Sequence, residues 1–120
     1  MESRHILVAD TGEDFRRSFV EAVRAEGDIQ VAGDTGDGVE LLRMVETQRP
    51  DVIVMEMVLT GMDGLEVLEA LPTLKLERRP RVLILSSFAK GTMAELAAAK
   101  GADHYMTKPC RVSTVCERIR

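Results

Sequence analysis

Asp10, Glu56, Ser86 and Lys108 bring together the residue types that can hold a divalent cation beside a phosphoryl group. Carboxylates bind a hard cation through oxygen. A lysine and a hydroxyl serve phosphoryl oxygens as point charge and donor. Each of the four sits at the end of a short stretch that reads as a strand: the apolar runs Ile6-Leu7-Val8-Ala9 before Asp10, Val52-Ile53-Val54-Met55 before Glu56 and Val82 to Leu85 before Ser86, and the more polar Ala102 to Thr107 before Lys108. Singly, each has a plainer reading. Asp10 with Thr11 starts a helix, Glu56 faces water, Ser86 ends a strand and Lys108 is a surface lysine. Four such residues at four successive run ends make a joint coincidence the poorer account.

The elements that must position them follow from the pattern between. Pro50 to Gly64 organises the chain: Val52–Met55 reads as a central strand buried on both faces, and Glu56 then falls at its carboxyl edge. In open α/β sheets that edge is where ligands gather. Between the runs, apolar residues recur at helical spacing. Thr11 to Asp14 reads as a capping box opening a first helix to about Glu26, with Phe15, Phe19, Ala22 and Val23 as its inner stripe and Gly27 as its stop. Ile29 to Gly33 is a short strand. Asp37 to Glu40 offers a second capping box before a helix carrying Leu41, Leu42 and Val45 and ended before Pro50. Leu65, Leu68 and Leu71 mark a short third helix, and Thr73 to Pro80 a loop. Lys90 to Lys100 predicts a fourth helix with Met93, Leu96 and Ala97 inward, capped by Gly101. Val112, Val115 and Ile119 predict a fifth. Five strands alternating with five helices imply an α/β fold with a parallel sheet covered on both faces.

At 120 residues, with 45% apolar and 30% charged, the chain suits one ordinary domain with one core. A net charge of −4 and a pI near 5.2 lack the basic excess of a nucleic-acid binder, so no nucleic-acid contact by this domain is expected. No apolar run approaches a membrane span and no signal peptide opens the chain, which predicts no membrane contact and a cytoplasmic location. Cys110 and Cys116 match no common metal spacing, and six residues apart on one helix they are expected to be reduced thiols. The fifth helix runs to the last residue, so a following domain is expected in a longer protein.

The chain resembles a response-regulator receiver domain, the phosphoacceptor module of bacterial two-component signalling, over essentially its whole length. The likeness rests on Ile6 to Asp10, Asp51 to Glu56, Met62-Asp63-Gly64, Ser86, and Tyr105-Met106-Thr107-Lys108-Pro109. Within receivers it is most similar to the N-terminal domain of the stage-zero sporulation protein A family, by the register Asp51–Gly64 and the loop Leu71–Pro80. The resemblance implies a flavodoxin-like (βα)5 doubly wound parallel sheet in the order 2-1-3-4-5. It implies a phosphoacceptor at Glu56, an acidic pocket at Asp10 and Thr11, and a Mg2+ site formed by Asp10, Glu56 and the Val58 backbone carbonyl. It further implies a phosphoryl contact at Lys108, a switch pair at Ser86 and Tyr105, and a cis Lys108–Pro109 bond. The implied partners are an upstream histidine kinase or phosphotransferase, the protein's own C-terminal output domain, and a second copy in a homodimer. The function implied is control of transcription, within sporulation for that subgroup, by a domain that is not itself an enzyme.

Three positions depart from the family pattern. Glu56 stands where receivers have aspartate, Thr11 replaces the second acid after Asp10, and Thr60 replaces a proline. A glutamate reaches farther by one methylene, about 1.5 Å, while magnesium demands near-ideal octahedral geometry at roughly 2.0–2.1 Å. Weak or absent Mg2+ binding and an atypical receiver are therefore expected. A working receiver of another transcriptional regulator, phosphorylated on Glu56, is the alternative, since a carboxylate can form an acyl intermediate. A flavodoxin-like cofactor binder is the remote one: no Gly-rich phosphate loop follows the first strand, and three phenylalanines and one tyrosine are few to flank a flavin. Phe15, Arg16 and Phe19 are candidates for docking an upstream phosphotransfer partner.

Overall fold

The computed structural model describes residues 4–120. The elements follow in strict alternation: β1 (Arg4–Ala9), α1 (Glu13–Arg24), β2 (Ile29–Thr35), α2 (Gly38–Gln48), β3 (Val52–Met55), α3 (Gly64–Ala70), a 3-10 turn (Leu71–Thr73), β4 (Arg81–Ser86), α4 (Thr92–Ala99), β5 (His104–Thr107) and α5 (Val112–Ile119). All pairings are parallel and the strand order is β2-β1-β3-β4-β5, the flavodoxin-like arrangement expected.

The sheet divides the core into two layers. Alternate residues of the inner strands, among them Leu7, Ile53, Met55 and Ile84, face α2, α3 and α4 through Leu41, Val45, Leu68 and Ala97. Their neighbours Ile6, Val8, Val54 and Leu83 face the other way, onto Phe19, Val23, Val115 and Ile119 of α1 and α5. This is why Val52–Met55 is apolar without a break: each of its residues is buried, on one face or the other. Fully burying one such side chain is worth about 1.5–3 kcal/mol. β2 lies at the edge and alternates instead of running continuously apolar. An irregularity in its pairing falls between Ile6 and Leu7.

Several local expectations are corrected. Thr11 and Asp14 form no capping box. The N-cap of α1 is Gly12, which has no side chain to cap with, and the Asp10 carboxylate accepts the Gly12 amide at 2.8 Å. Asp37 does cap α2, accepting the Glu40 amide at 2.9 Å. The reciprocal box lies instead on α3, where Asp63 accepts from the Glu66 amide and Glu66 reaches back to the Asp63 amide. α1 stops at Arg24, short of Glu26, with Gly27 at φ 84 just beyond. α4 buries Ala97 but leaves Leu96 exposed, so its inner stripe is narrower than the spacing implied. Cys110 precedes α5 and is half-buried; only Cys116 is on the helix. Both are free thiols, and burial first of all pushes the Cys116 thiol up to about 11.

Thr60 ties two loops at the carboxyl edge. Its amide donates to the Gly36 carbonyl at 3.1 Å, its carbonyl accepts from the Gly38 amide at 2.8 Å, and its hydroxyl bonds the Asp37 carboxylate at 3.0 Å. A proline here would lack the donating amide. The departure at Thr60 is thus built into the packing of the loop that follows β3.

Candidate functional site

The carboxyl edge gathers the predicted residues because β1, β3, β4 and β5 are adjacent and parallel. Asp10 directly follows β1, Glu56 directly follows β3, Ser86 ends β4 and Lys108 directly follows β5. Asp10 and Glu56 are each 5% exposed and Ser86 is fully buried, so these groups see one another rather than bulk water.

Lys108 lies between the two carboxylates. Its ammonium nitrogen is 2.5 Å from Asp10 Oδ2 and 3.4 Å from Glu56 Oε1. The remaining carboxylate oxygens have protein partners as well. Asp10 Oδ1 accepts from the Gly12 amide, and Glu56 Oε2 accepts from the Met57 amide at 2.7 Å. Glu56 Oε1 also accepts from the Ser87 amide at 2.9 Å and the Ser87 hydroxyl at 3.2 Å. Burial pushes the Glu56 carboxyl up. The Met57 and Ser87 amides, the Ser86 hydroxyl and the Lys108 ammonium together pull it down by more, and it is held below the ordinary glutamate value.

Above the ammonium lies Phe15. Lys108 Nζ sits 3.9 Å from its ring centroid, a cation–π contact, and the ring stacks on Phe19 at 5.8 Å between centroids. Phe19 is buried core and Phe15 is 38% exposed. Arg16 is less available to a partner than the sequence suggested: it donates to the Asp10 carbonyl at 2.6 Å and pairs with Asp34 at 2.8 Å.

The other predicted residues lie at the rim. Thr11 is exposed, and among the described residues its hydroxyl makes no hydrogen bond. Val58 follows in the loop with its side chain half exposed. Tyr105 is half-buried on β5 and its hydroxyl donates to the Phe88 carbonyl at 3.0 Å, which links β5 to the loop after β4. The Ser86 hydroxyl accepts the Phe88 amide at 3.0 Å, so both residues of the expected switch pair meet the same Phe88 backbone. The Lys108–Pro109 bond is cis, as the resemblance implied. The sequence reading missed Ser87 and the amides of Gly12 and Met57. These enter through loop backbone, which carries no periodic signal.

Residues 6–120 match the response regulator receiver domain family. The chain belongs to that family. A curated relative, the transcriptional regulatory protein PdtaR of Mycobacterium tuberculosis (strain CDC 1551 / Oshkosh), is 27% identical over 116 residues; that match takes in 97% of this chain and 55% of the relative. The receiver thus spans about half the length of that protein. The signal receiver domain of NarL from Mycobacterium tuberculosis superposes with a TM-score of 0.89 at 27% identity, covering 99% of this chain and 98% of the other. A DNA-binding response regulator of the LuxR family from Staphylococcus aureus superposes with a TM-score of 0.89 at 25% identity, over 97% of this receiver and 95% of that chain.

Receiver domains are signalling domains that bind Mg2+ at their phosphorylation site. Among the described residues no three His, Cys, Asp or Glu side chains gather to hold a metal ion. The two carboxylates that do meet, Asp10 and Glu56, share a lysine ammonium between them, and their four oxygens are all engaged by protein donors. Asp10 and Glu56 are the carboxylates that would hold such an ion, with the Lys108 ammonium beside both. The cavity lined by Asp10, Phe15 and Glu56 has a volume of about 10 Å3, close to the lower limit for a single water. Among the described residues no helix is long and apolar enough to cross a membrane.

Proposed function

We propose that this receiver is an interaction module of a two-component pathway controlling transcription, one that keeps the receiver fold but has lost efficient phosphotransfer. In this reading Glu56 occupies the phosphoacceptor position and Lys108 supplies the positive charge that a metal ion supplies elsewhere. One observation carries the proposal: the Lys108 ammonium spans Asp10 and Glu56 at 2.5 and 3.4 Å while every oxygen of the pair is also held. A cation entering here must strip these donors, and with Thr11 in place of an acid there is one charge fewer to attract it. Phosphoryl transfer depends mostly on positioning and on neutralising charge. A glutamate oxygen pinned by Ser87 and Met57 is displaced by a methylene from where an aspartate oxygen would sit.

The implied partners are an upstream histidine kinase or phosphotransferase and an output domain on the same polypeptide. Support for transcriptional output comes from the names of the similar proteins, a transcriptional regulator and a DNA-binding response regulator. The likeness to the sporulation subgroup rests on Asp51–Gly64 and Leu71–Pro80 alone, and only the broader transcriptional role is carried forward.

A working phosphoacceptor at Glu56 is the second reading, favoured by one fact: its carboxylate stands at the carboxyl edge of β3 with the Lys108 ammonium 3.4 Å away. Intact mass after incubation with acetyl phosphate and Mg2+ separates the two. The proposal expects no phosphorylated species above background, and a stoichiometric adduct that trypsin mapping places on Glu56 would replace it with the second reading.

A further inference from the structure

The opposite edge of the sheet carries a second feature that the signalling site does not use. A cavity of about 510 Å3 opens where the end of α2, the start of β3 and the loop before β4 converge. Its apolar wall is Val45, Pro50, Leu76 and Pro80; on its rim are Arg49, Arg78 and Glu77. A smaller cavity of about 200 Å3 shares Pro50, Arg78 and Pro80 with it and adds Arg4, Asp51, Arg79 and Arg81. Five arginines thus face two acidic residues, in a chain whose net charge is −4.

Two of those arginines have side chains placed to meet a ligand. Arg78 is 85% exposed, with a single long contact of 3.4 Å to Asp51. Arg49 ends α2 in the left-handed region at φ 51 and bonds the Glu46 carbonyl through Nε. Arg81 is turned to the Arg118 and Ile119 carbonyls and Arg79 to Asp103 and the Gly101 carbonyl. These two set the local potential more than they offer contacts. Asp51 accepts from the His5 amide at 2.9 Å and so has a structural task of its own.

We propose that this amino-terminal edge binds a small organic phosphate of the nucleoside diphosphate class. Arginine forks match phosphate oxygens. The apolar wall suits a flat base, on which a guanidinium can stack. Glu77 offers an acceptor for sugar hydroxyls. The volume lies within the roughly 300–1,000 Å3 of small-molecule sites, and its concavity favours a compact ligand over an extended peptide. The site lies the length of β3 away from Glu56 and stands independently of the signalling proposal.

The test is calorimetric titration of the chain with ADP, without divalent cations, against inorganic pyrophosphate and a glutamate-rich decapeptide. Saturable binding of one ADP is expected, with pyrophosphate weaker because it lacks the base. Arg49→Asn, chosen because asparagine tolerates positive φ, and Arg78→Gln should each weaken ADP by about tenfold, as loss of a charged hydrogen bond implies. Amide shifts on adding ADP should cluster at residues 45–50 and 76–81. The proposal is overturned by an absence of saturable binding at millimolar ADP or by tighter binding of the peptide. Shifts confined to the Asp10–Glu56 edge, or unchanged affinity in both variants with their unfolding midpoints intact, would equally overturn it.

Discussion

The residue that most shapes this site is Lys108, because it turns two buried carboxylates from a liability into a pair. A buried carboxylate without partners costs several kcal/mol. Asp10 and Glu56 avoid that by sharing one ammonium and by accepting amides from Gly12, Met57 and Ser87. A pH dependence follows. The Glu56 carboxyl lies below its ordinary value when folded, so the native state binds fewer protons there than the unfolded chain. Its contribution to stability is complete above the unfolded value of about 4.3 and is lost as pH falls through the lower folded value. Urea midpoints of the parent should therefore hold steady from neutral pH to mild acid and drop further down. In Glu56→Gln that part of the drop should be missing, and identical acid limbs would count against the coupling. The four run-end residues were legible because strand ends in a parallel sheet share an edge. Their amide partners and the Phe15 lid were not, since they depend on loop paths and a rotamer.

Helices and strands were legible wherever burial imposed a period. Val52–Met55 emerged with its predicted bounds, because both faces of a central strand are covered. α4 yielded its inner face in part: Ala97 is buried and Met93 packs against the core, but Leu96 is exposed, since an alanine-rich stretch gives little contrast. The caps were half legible: Asp37 was right in one direction, while α1 takes Gly12 rather than Thr11 as its N-cap. The close approach of the start of α2 to the loop after β3 was invisible in the sequence. A Cβ built on Gly38 would lie 2.1 Å from the Met62 carbonyl oxygen, which is backbone and cannot swing aside. Gly38→Ala should accordingly destabilise the domain by about 1–3 kcal/mol, the usual cost of overpacking. Equilibrium urea unfolding measures it, and a change under a few tenths of a kcal/mol would show that the start of α2 and the loop after β3 can part freely.

At the scale of the molecule, the sheet separates two edges and the helices cover two faces. The signalling groups occupy one edge and the arginine-rimmed cavity the other. Tyr105 and Phe88 connect the site to the α4–β5–α5 side, where the hydroxyl of Tyr105 holds the loop after β4. We expect Tyr105→Ala to keep the fold but alter self-association or output coupling of the full-length protein, read by sedimentation and by a transcription reporter. Wild-type behaviour in both would remove the reason to treat Tyr105 as a switch. The fold class was legible from alternation alone. The state of the site was not, because where Lys108 rests depends on three strands converging.

The most direct measurement is the rate of acetyl-phosphate labelling, with Mg2+ titrated in parallel, for the parent, Glu56→Asp, and Glu56→Asp with Thr11→Asp. Shortening the side chain at 56 frees space beside Lys108, and an acid at 11 restores the missing negative charge. The parent should label poorly and bind Mg2+ weakly, the single variant should recover in part, and the double variant should recover both fully. A parent that already labels as fast as the double variant would contradict this reading.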